Sequence, residues 1–451
     1  MPIPEVDRIL GMHTYATETE GLGGVIKESA DDFVVEEMLV DGSKASVTGA
    51  VPSRAIGSSA QKQRFLLCLM IKRNWDTFIA TKNVAKALGI DQGRVQFAGI
   101  KDARAVTAQH ITIENVPAED AAKIDIKNVK VTPIGYIREM LSLFYLLGNN
   151  FTITATKVDA PESVVQERVQ QTIQELNAIG GIPNYFGHQR FGTTRPVTHL
   201  VGRALSQGRF EDAAMLFLAN PGPYEHPQSR QVRQQLQDAH DFKWAAENYP
   251  SQLRFERMML MHLAEHPTDY VGAFRRLPEK LLALFVQAHQ SYLFNRFLSE
   301  RLKLGLPLNE AVVGDFVVGV ERSGLPLTTM EKAVTDANLA QVNASVKAGK
   351  MRVALPIYGF RQRLSGGVMG EMEREVLNSE SVNDGPVRLN ELSRVGGKGG
   401  LRTALAPVKD FKLLSTADAK LQVSFMLFRG CYATILLREI IKPQNPATSG
   451  F

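Results

Sequence analysis

Cysteine is almost missing from this 451-residue chain: Cys68 and Cys431 are the only two. Two thiols cannot build a disulfide scaffold, and they weigh against zinc fingers. Both lie in apolar, strand-like runs and are expected to be buried and reduced. Long hydrophobic runs are also missing, so no segment has the length of a membrane span. The start, Met1 to Asp7, has neither a basic nor an apolar stretch of the kind a signal peptide needs. A strong charge of either sign is absent too. The balance of 52 basic and 47 acidic residues leaves +5, which permits a polyanionic partner without requiring one. The expectation is a soluble, cytoplasmic protein. Hydrophobic content of 44% is enough for real cores, and the length suits two or three domains.

Acidic residues are missing locally in two places. Between Gln92 and Ile113 the only acid is Asp102, among Arg94, Lys101 and Arg104. A carboxylate near cations stays ionised. Neighbours in extended chain point to opposite faces, so Lys101 need not pair with Asp102, and Arg104 is a candidate same-face partner. A turn aspartate in a salt bridge would look the same. Between Asn177 and Phe210 there is no acid at all, while Arg190, Arg195, Arg203, Arg209, His188 and His199 are present. Tyr185, Phe186 and Phe191 sit in this basic stretch, and Asn184 has an amide that could read a base edge. Arginines hold phosphates and aromatic faces stack on unpaired bases. A structural turn with its aromatics in the core is the competing account.

Local periodicity puts both stretches in loops. Strands are expected over 32–37, 65–71, 94–98 and 110–113, with a helix starting after Asn74 and stopping near Gly89. The Asp102 segment therefore joins two strands. Val165, Val169, Ile173 and Leu176 form one helical face within 162–179, ended by Gly180 and Gly181. A second long helix carries Leu281, Leu284, Phe285, Ala288 and Tyr292. Residues 378–409, rich in Gly, Asn and Ser, are expected to be irregular and exposed, and 424–428 to be a strand. The sum is an α+β protein with a helical or mixed insert between about 206 and 406. Three tempting patterns carry little. His262 and His266 lack the glutamate placement of a metalloprotease helix, Gly396 to Gly400 lacks the spacing of a phosphate loop, and Gly21 to Gly24 follows no clear strand.

Gly99-Ile100-Lys101-Asp102 with Thr107 and Gln109, and then Asn184-Tyr185-Phe186-Gly187-His188-Gln189-Arg190-Phe191-Gly192, resemble the two hallmark motifs of the TruD family of tRNA pseudouridine synthases. Further family-like segments are Lys27 with Asp32 to Glu36, Leu147 to Phe151, Gln287 to Asn295, and Gly430 to Thr434 with Leu437 to Glu439. The likeness runs from about Gly21 to Lys442. The length and the Gln287 to Asn295 segment are similar to an archaeal-type member.

The resemblance implies a pseudouridine-synthase-like sheet, mixed but mainly antiparallel, formed by 1–207 and 406–451, with an inserted TRUD domain at 208–405. It implies isomerisation of uridine 13 of tRNA: the N1–C1′ bond is cut, the uracil turns, and C5 is joined instead. Asp102 would be the catalytic carboxylate, either attacking C1′ or taking the C2′ proton. Phe33, Asn184, Phe186 and Tyr432 would contact the target nucleotide. Lys27, Lys101, Arg104 and Arg190 would give charge support. The expected partner is tRNA, with no membrane, metal or nucleotide cofactor. Ala103 departs from the family, where many members carry a basic residue, and this leaves the cation that holds Asp102 open. Two alternatives stand beside this one. The first is a non-catalytic RNA-binding or chaperone protein on the same scaffold. The second is a hydrolase using Asp102 on a glycosidic bond, although most glycosidases need a second carboxylate.

Overall fold

The computed structural model describes residues 2–52, 55–192, 194–382, 392 and 396–451. Its organising element is a sheet of nine strands. Seven form the main path in the order Val408–Ser415, Leu421–Phe428, Leu146–Thr156, Phe33–Leu39, Val106–Glu114, Phe65–Arg73 and Val129–Ile137. Val25–Ile26 pairs with Leu146–Thr156, and Val95–Phe97 with Val106–Glu114. Every pairing is antiparallel except one: Phe33–Leu39 runs parallel to Val106–Glu114, with Val34 opposite Val106. That parallel pair puts the beginnings of both strands, and the loops leading into them, at the same end of the sheet. Lys27 enters one strand and Asp102 the other.

Side-chain alternation decides which residues face the core. In Phe33–Leu39, residues 33, 35, 37 and 39 are buried and those between them are partly exposed. Glu37 therefore points inward with Phe33, Val35 and Leu39. Phe65–Arg73 is buried continuously from Phe65 to Met70 because both of its faces are covered. Leu66, Cys68 and Met70 face the helix Thr77–Ala87. That helix is capped by Asp76, whose side chain accepts from the Phe78 and Ile79 N–H groups, and not by Asn74, which has a positive φ of 54°.

The helix Glu162–Ala178 buries Val165, Val169, Thr172 and Leu176, and ends at Gly180 with φ of +90°. The inserted region is mixed. Its helices include Glu279–Lys303, buried on nearly all sides, and it has its own four-stranded sheet, ordered Pro326–Ala333, Phe316–Val320, Met351–Ile357 and Gly400–Thr403. Within 378–409, the strands Gly400–Thr403 and Leu405–Ala406 are ordered, and Leu401, Thr403 and Ala404 are buried, so this part is neither irregular nor exposed. The rest of that expectation falls largely on residues outside the described set. Leu405–Ala406 then pairs with Ile182–Pro183, which brings the returning chain against the basic aromatic stretch.

One apolar cluster runs from Phe33, Phe151 and Ile153 through Tyr185 to Phe294, Val353 and Leu437, so sheet and insert share buried surface. A polar knot fastens the same region. Asp7 accepts from Arg438 Nε at 2.5 Å and bonds His188 Nε2 at 2.7 Å, and all three side chains are buried. Cys68 is buried in its strand, whereas Cys431 lies in the turn after Phe428 and is only half-buried. Among the described residues no helix is long and apolar enough to cross a membrane, and no cluster of three or more His, Cys, Asp or Glu could hold a metal.

Candidate active site

The Asp102 loop is fixed from below. Lys72, the cation that ends an apolar strand, is fully buried, and its Nζ donates to the carbonyls of Trp75 (2.7 Å), Asp102 (2.8 Å) and Lys101 (3.4 Å). Burial draws the Lys72 pKa down to about 8 against the opposing charges of Asp102 and Asp76. The Lys101 N–H donates to Thr77 Oγ1 at 3.1 Å, and Gln109 Nε2 to the Gly99 carbonyl at 3.2 Å. Lys101 itself turns away from the site. Its Nζ meets Glu37 Oε1 at 2.7 Å, and the other Glu37 oxygen takes the His110 N–H at 2.8 Å and His110 Nδ1 at 3.1 Å. Burial favours the neutral acid at Glu37, but the charge of Lys101 and the contacts with His110 win and hold the carboxyl low.

The cation on Asp102 is Lys27. Its Nζ lies 3.1 Å from Asp102 Oδ1 and 4.3 Å from the centroid of the Phe33 ring. Gln189 Nε2 donates to the same oxygen at 2.9 Å. Burial pushes the Asp102 carboxyl up, but the charge of Lys27 and the donors Gln189 and Lys27 outweigh it, so the group sits below its usual range and is ionised at neutral pH. Both donors converge on Oδ1. Among the described residues no side chain donates to Oδ2. Arg104 does not touch the carboxylate. It is exposed, and its Nη2 donates to the Lys27 carbonyl at 3.0 Å, which helps hold Lys27 in a backbone of φ +58°.

The opposite wall comes from the Asn184 to Gly192 stretch and the turn before the helix Ala433–Ile441. Phe186 is clamped by Asn295: its N–H donates to Asn295 Oδ1 at 2.8 Å and its carbonyl accepts from Nδ2 at 3.0 Å. The half-buried rings of Phe186 and Tyr432 stand 6.3 Å apart, edge to face. Gly187 allows that approach, because a Cβ there would sit 2.9 Å from the Tyr432 ring. Arg402 fastens the wall from behind. Its Nε donates to the Asn184 carbonyl (2.8 Å), and its Nη2 to Asn184 Oδ1 (2.5 Å) and the Gly430 carbonyl (2.9 Å). Its guanidinium lies 4.2 Å from the Phe186 ring centroid.

The structure thus brings Asp102 and Lys27 together, and places Phe186 beside Tyr432. Other expected site residues have partners within the protein. Phe33 is 1% exposed beneath Lys27. Asn184 has both ends of its amide engaged, with Nδ2 donating to Thr403 O (3.1 Å) and Oγ1 (3.0 Å). Arg190 is tied to the helix Glu279–Lys303 through Ser291 (3.2 Å) and Gln287 (3.1 Å). Four contributors were missed in the sequence. Gln189 was visible inside its motif. Glu37 was visible as an acid at an inward position of an alternating strand. Lys72 was visible as the charged end of a buried strand. Arg402 had no signal, because it lies in the stretch read as irregular.

The family profile described as "TruD: tRNA pseudouridine synthase D (TruD)" matches residues 9–440. A probable tRNA pseudouridine synthase D of Methanosarcina mazei is 36% identical over 447 residues, covering 98% of either chain. One of Pyrococcus abyssi is 38% identical over 429 residues, covering 95% of this chain and 98% of its own. The crystal structure of the putative tRNA pseudouridine synthase D from Methanosarcina mazei superposes with a TM-score of 0.82 at 35% identity, covering 99% of this chain and all of that one. With its mixed α+β architecture and matched from end to end, the chain belongs to the TruD family of tRNA pseudouridine synthases.

Proposed function

We propose that this protein isomerises uridine 13 of tRNA to pseudouridine, with Asp102 as the catalytic residue. The observation that carries the proposal is the Asp102 carboxylate, held ionised through Oδ1 by Lys27 and Gln189 while Oδ2 has no side-chain donor. An ionised oxygen is what both chemical routes require. In one, Oδ2 attacks C1′ as the N1–C1′ bond breaks. In the other, it takes the C2′ proton as the uracil leaves. The detached uracil must then turn and present C5 without drifting away, and the Phe186 and Tyr432 rings are suited to hold its flat face. Isomerisation conserves atoms and electrons, so the proposal calls for no redox partner. Family membership supports tRNA as the substrate, and the cytoplasm is proposed as the compartment.

The test is an Asp102→Asn variant with pseudouridine mapped by carbodiimide labelling and primer extension on an unmodified tRNA transcript. Wild type should label position 13, and the variant should lose the product by orders of magnitude while still binding the transcript. Wild-type turnover in the variant would remove Asp102 from the chemistry. Tight binding with no product from wild type would mark a non-catalytic RNA-binding protein, and release of free uracil a hydrolase.

A further inference from the structure

Lys72 is a cation in an apolar place. By strand alternation it shares a face with Leu66, Cys68 and Met70, and it is fully buried. Thr107 and Val129 oppose it in the flanking strands, and neither carries a charge. A buried charge is costly unless it is well hydrogen-bonded. Among the described residues the Lys72 ammonium is bonded by no carboxylate. It meets three main-chain carbonyls instead, those of Trp75 at 2.7 Å, Asp102 at 2.8 Å and Lys101 at 3.4 Å. An ammonium has three N–H donors and no lone pair, so it suits three acceptors. A neutral amine has two donors, and its lone pair would be turned against a carbonyl oxygen.

The three carbonyls are not equally replaceable. The Lys101 carbonyl also accepts from Thr77 Oγ1 at 3.3 Å. Among the described residues no donor besides Lys72 reaches the Asp102 carbonyl. That carbonyl belongs to the residue whose carboxylate meets Lys27 at 3.1 Å and Gln189 at 2.9 Å, so a shift of its main chain is a shift of the carboxylate. The charged groups around Lys72 are Asp102 and Lys101 in the loop and Asp76 at the cap of the helix Thr77–Ala87, with Asp76 already bonded to the Phe78 and Ile79 N–H groups. Burial outweighs the two carboxylates and draws the Lys72 pKa down to about 8, whereas Asp102 is ionised well below that pH. Between neutral and alkaline pH the carboxylate therefore keeps its charge while the group that holds its backbone loses one.

We propose that Lys72 is a positioning residue for the isomerisation: its ammonium holds the main chain of Asp102 in place, and loss of that charge sets the upper pH limit of turnover. The proposal rests on Asp102 being the catalytic carboxylate, as read above. Once Lys72 is neutral, one of its carbonyls loses its donor and the loop relaxes around the lone pair. Reacting groups tolerate little displacement, so a small movement of Asp102 lowers the rate of the chemical step. Lys72 is fully buried and touches no RNA, so binding of the substrate is left as it was.

The test measures kcat and KM of wild type and Lys72→Met on an unmodified tRNA transcript from pH 6.5 to 9.5. At pH 7 the variant should have a kcat about 10- to 100-fold below wild type, the worth of one charged hydrogen bond, at an unchanged KM. Wild-type kcat should fall as pH passes about 8 and approach that of the variant, whose own profile should be flat there. A wild-type kcat that does not fall, a variant with the same alkaline limb as wild type, or a loss confined to KM overturns the proposal. An alkaline limb that arises in the RNA would persist in the variant. Trp75, one of two tryptophans, gives a readout that needs no change at Lys72, because its own carbonyl is bound by that side chain. In a Trp244→Phe background its emission should change with the same midpoint as kcat, and emission that stays constant while kcat falls also overturns the proposal. If wild type forms no product at any pH, the function itself fails and takes the proposal with it, an outcome distinct from an active enzyme whose profile ignores Lys72.

Discussion

Replacing Lys27 with Met removes the charge on Asp102 and keeps most of the alkyl stem that lies against Phe33. At 3.1 Å and an effective dielectric constant near 20, the lost attraction is about 5 kcal/mol. Asp102 keeps Gln189 and its side chain is 21% exposed, so solvent screens the survivor and the net cost should fall to roughly 2 kcal/mol. Two readouts follow. Because the folded Asp102 is more acidic than in an unfolded chain, its contribution to stability is present above the ordinary carboxylate range and disappears as pH falls through the folded value. Urea titrations should show that contribution reduced in the variant. Single-turnover rates on a tRNA transcript should show the acid limb of the pH profile displaced upward, so the variant loses more activity at pH 5.5 than at pH 8. If all of the 2 kcal/mol appeared in the transition state, the loss would be about thirtyfold. An acid limb unmoved from wild type would refute Lys27 as the group that keeps Asp102 ionised.

Arg402→Lys keeps a charge but cannot make three directed bonds and also lie flat on Phe186. Its kcat/KM on tRNA should drop by about 10- to 100-fold, the worth of one or two charged hydrogen bonds, with the fold unchanged by circular dichroism. Glu373, fully buried with Ser365 N and Oγ at 2.8 Å, is pushed by burial from 4.5 up to about 7. A folded pKa above the unfolded one contributes stability that is complete below about pH 4.5 and lost as pH rises through 7, here about 3 kcal/mol. Denaturation at pH 4.5 and 7.5 should therefore show a shallower pH dependence for Glu373→Gln than for wild type, and parallel curves would count against it.

The sequence was most legible where the site is local. Asp102 among cations and the aromatics of 184–192 are each contained in about ten residues, and the helix before the second loop shows its buried face at regular spacing. Partners were legible only as far as they are neighbours. Arg104, two residues from Asp102, was the natural candidate for its cation, yet Lys27, 75 residues away, holds the carboxylate because strand order makes them neighbours. Asn184 looked free to read a base because Arg402 and Thr403, its partners, lie about 220 residues further on. Lys101 looked like a site cation until the inward position of Glu37 supplied a buried partner. Strand alternation can reveal such an acid, but it cannot say which cation will reach it.

The Asp7–Arg438 pair joins residues 431 apart in the chain. During synthesis, Lys27, Asp102 and Phe186 all leave the ribosome long before Arg402, Tyr432 and Arg438. A nascent chain can carry its carboxylate early, but the wall that would face it, and the tie between Asp7 and His188 that Arg438 completes, form only when the last helix is free. Unfinished chains are then expected to be inert, and competence should arise in one step near the end of translation.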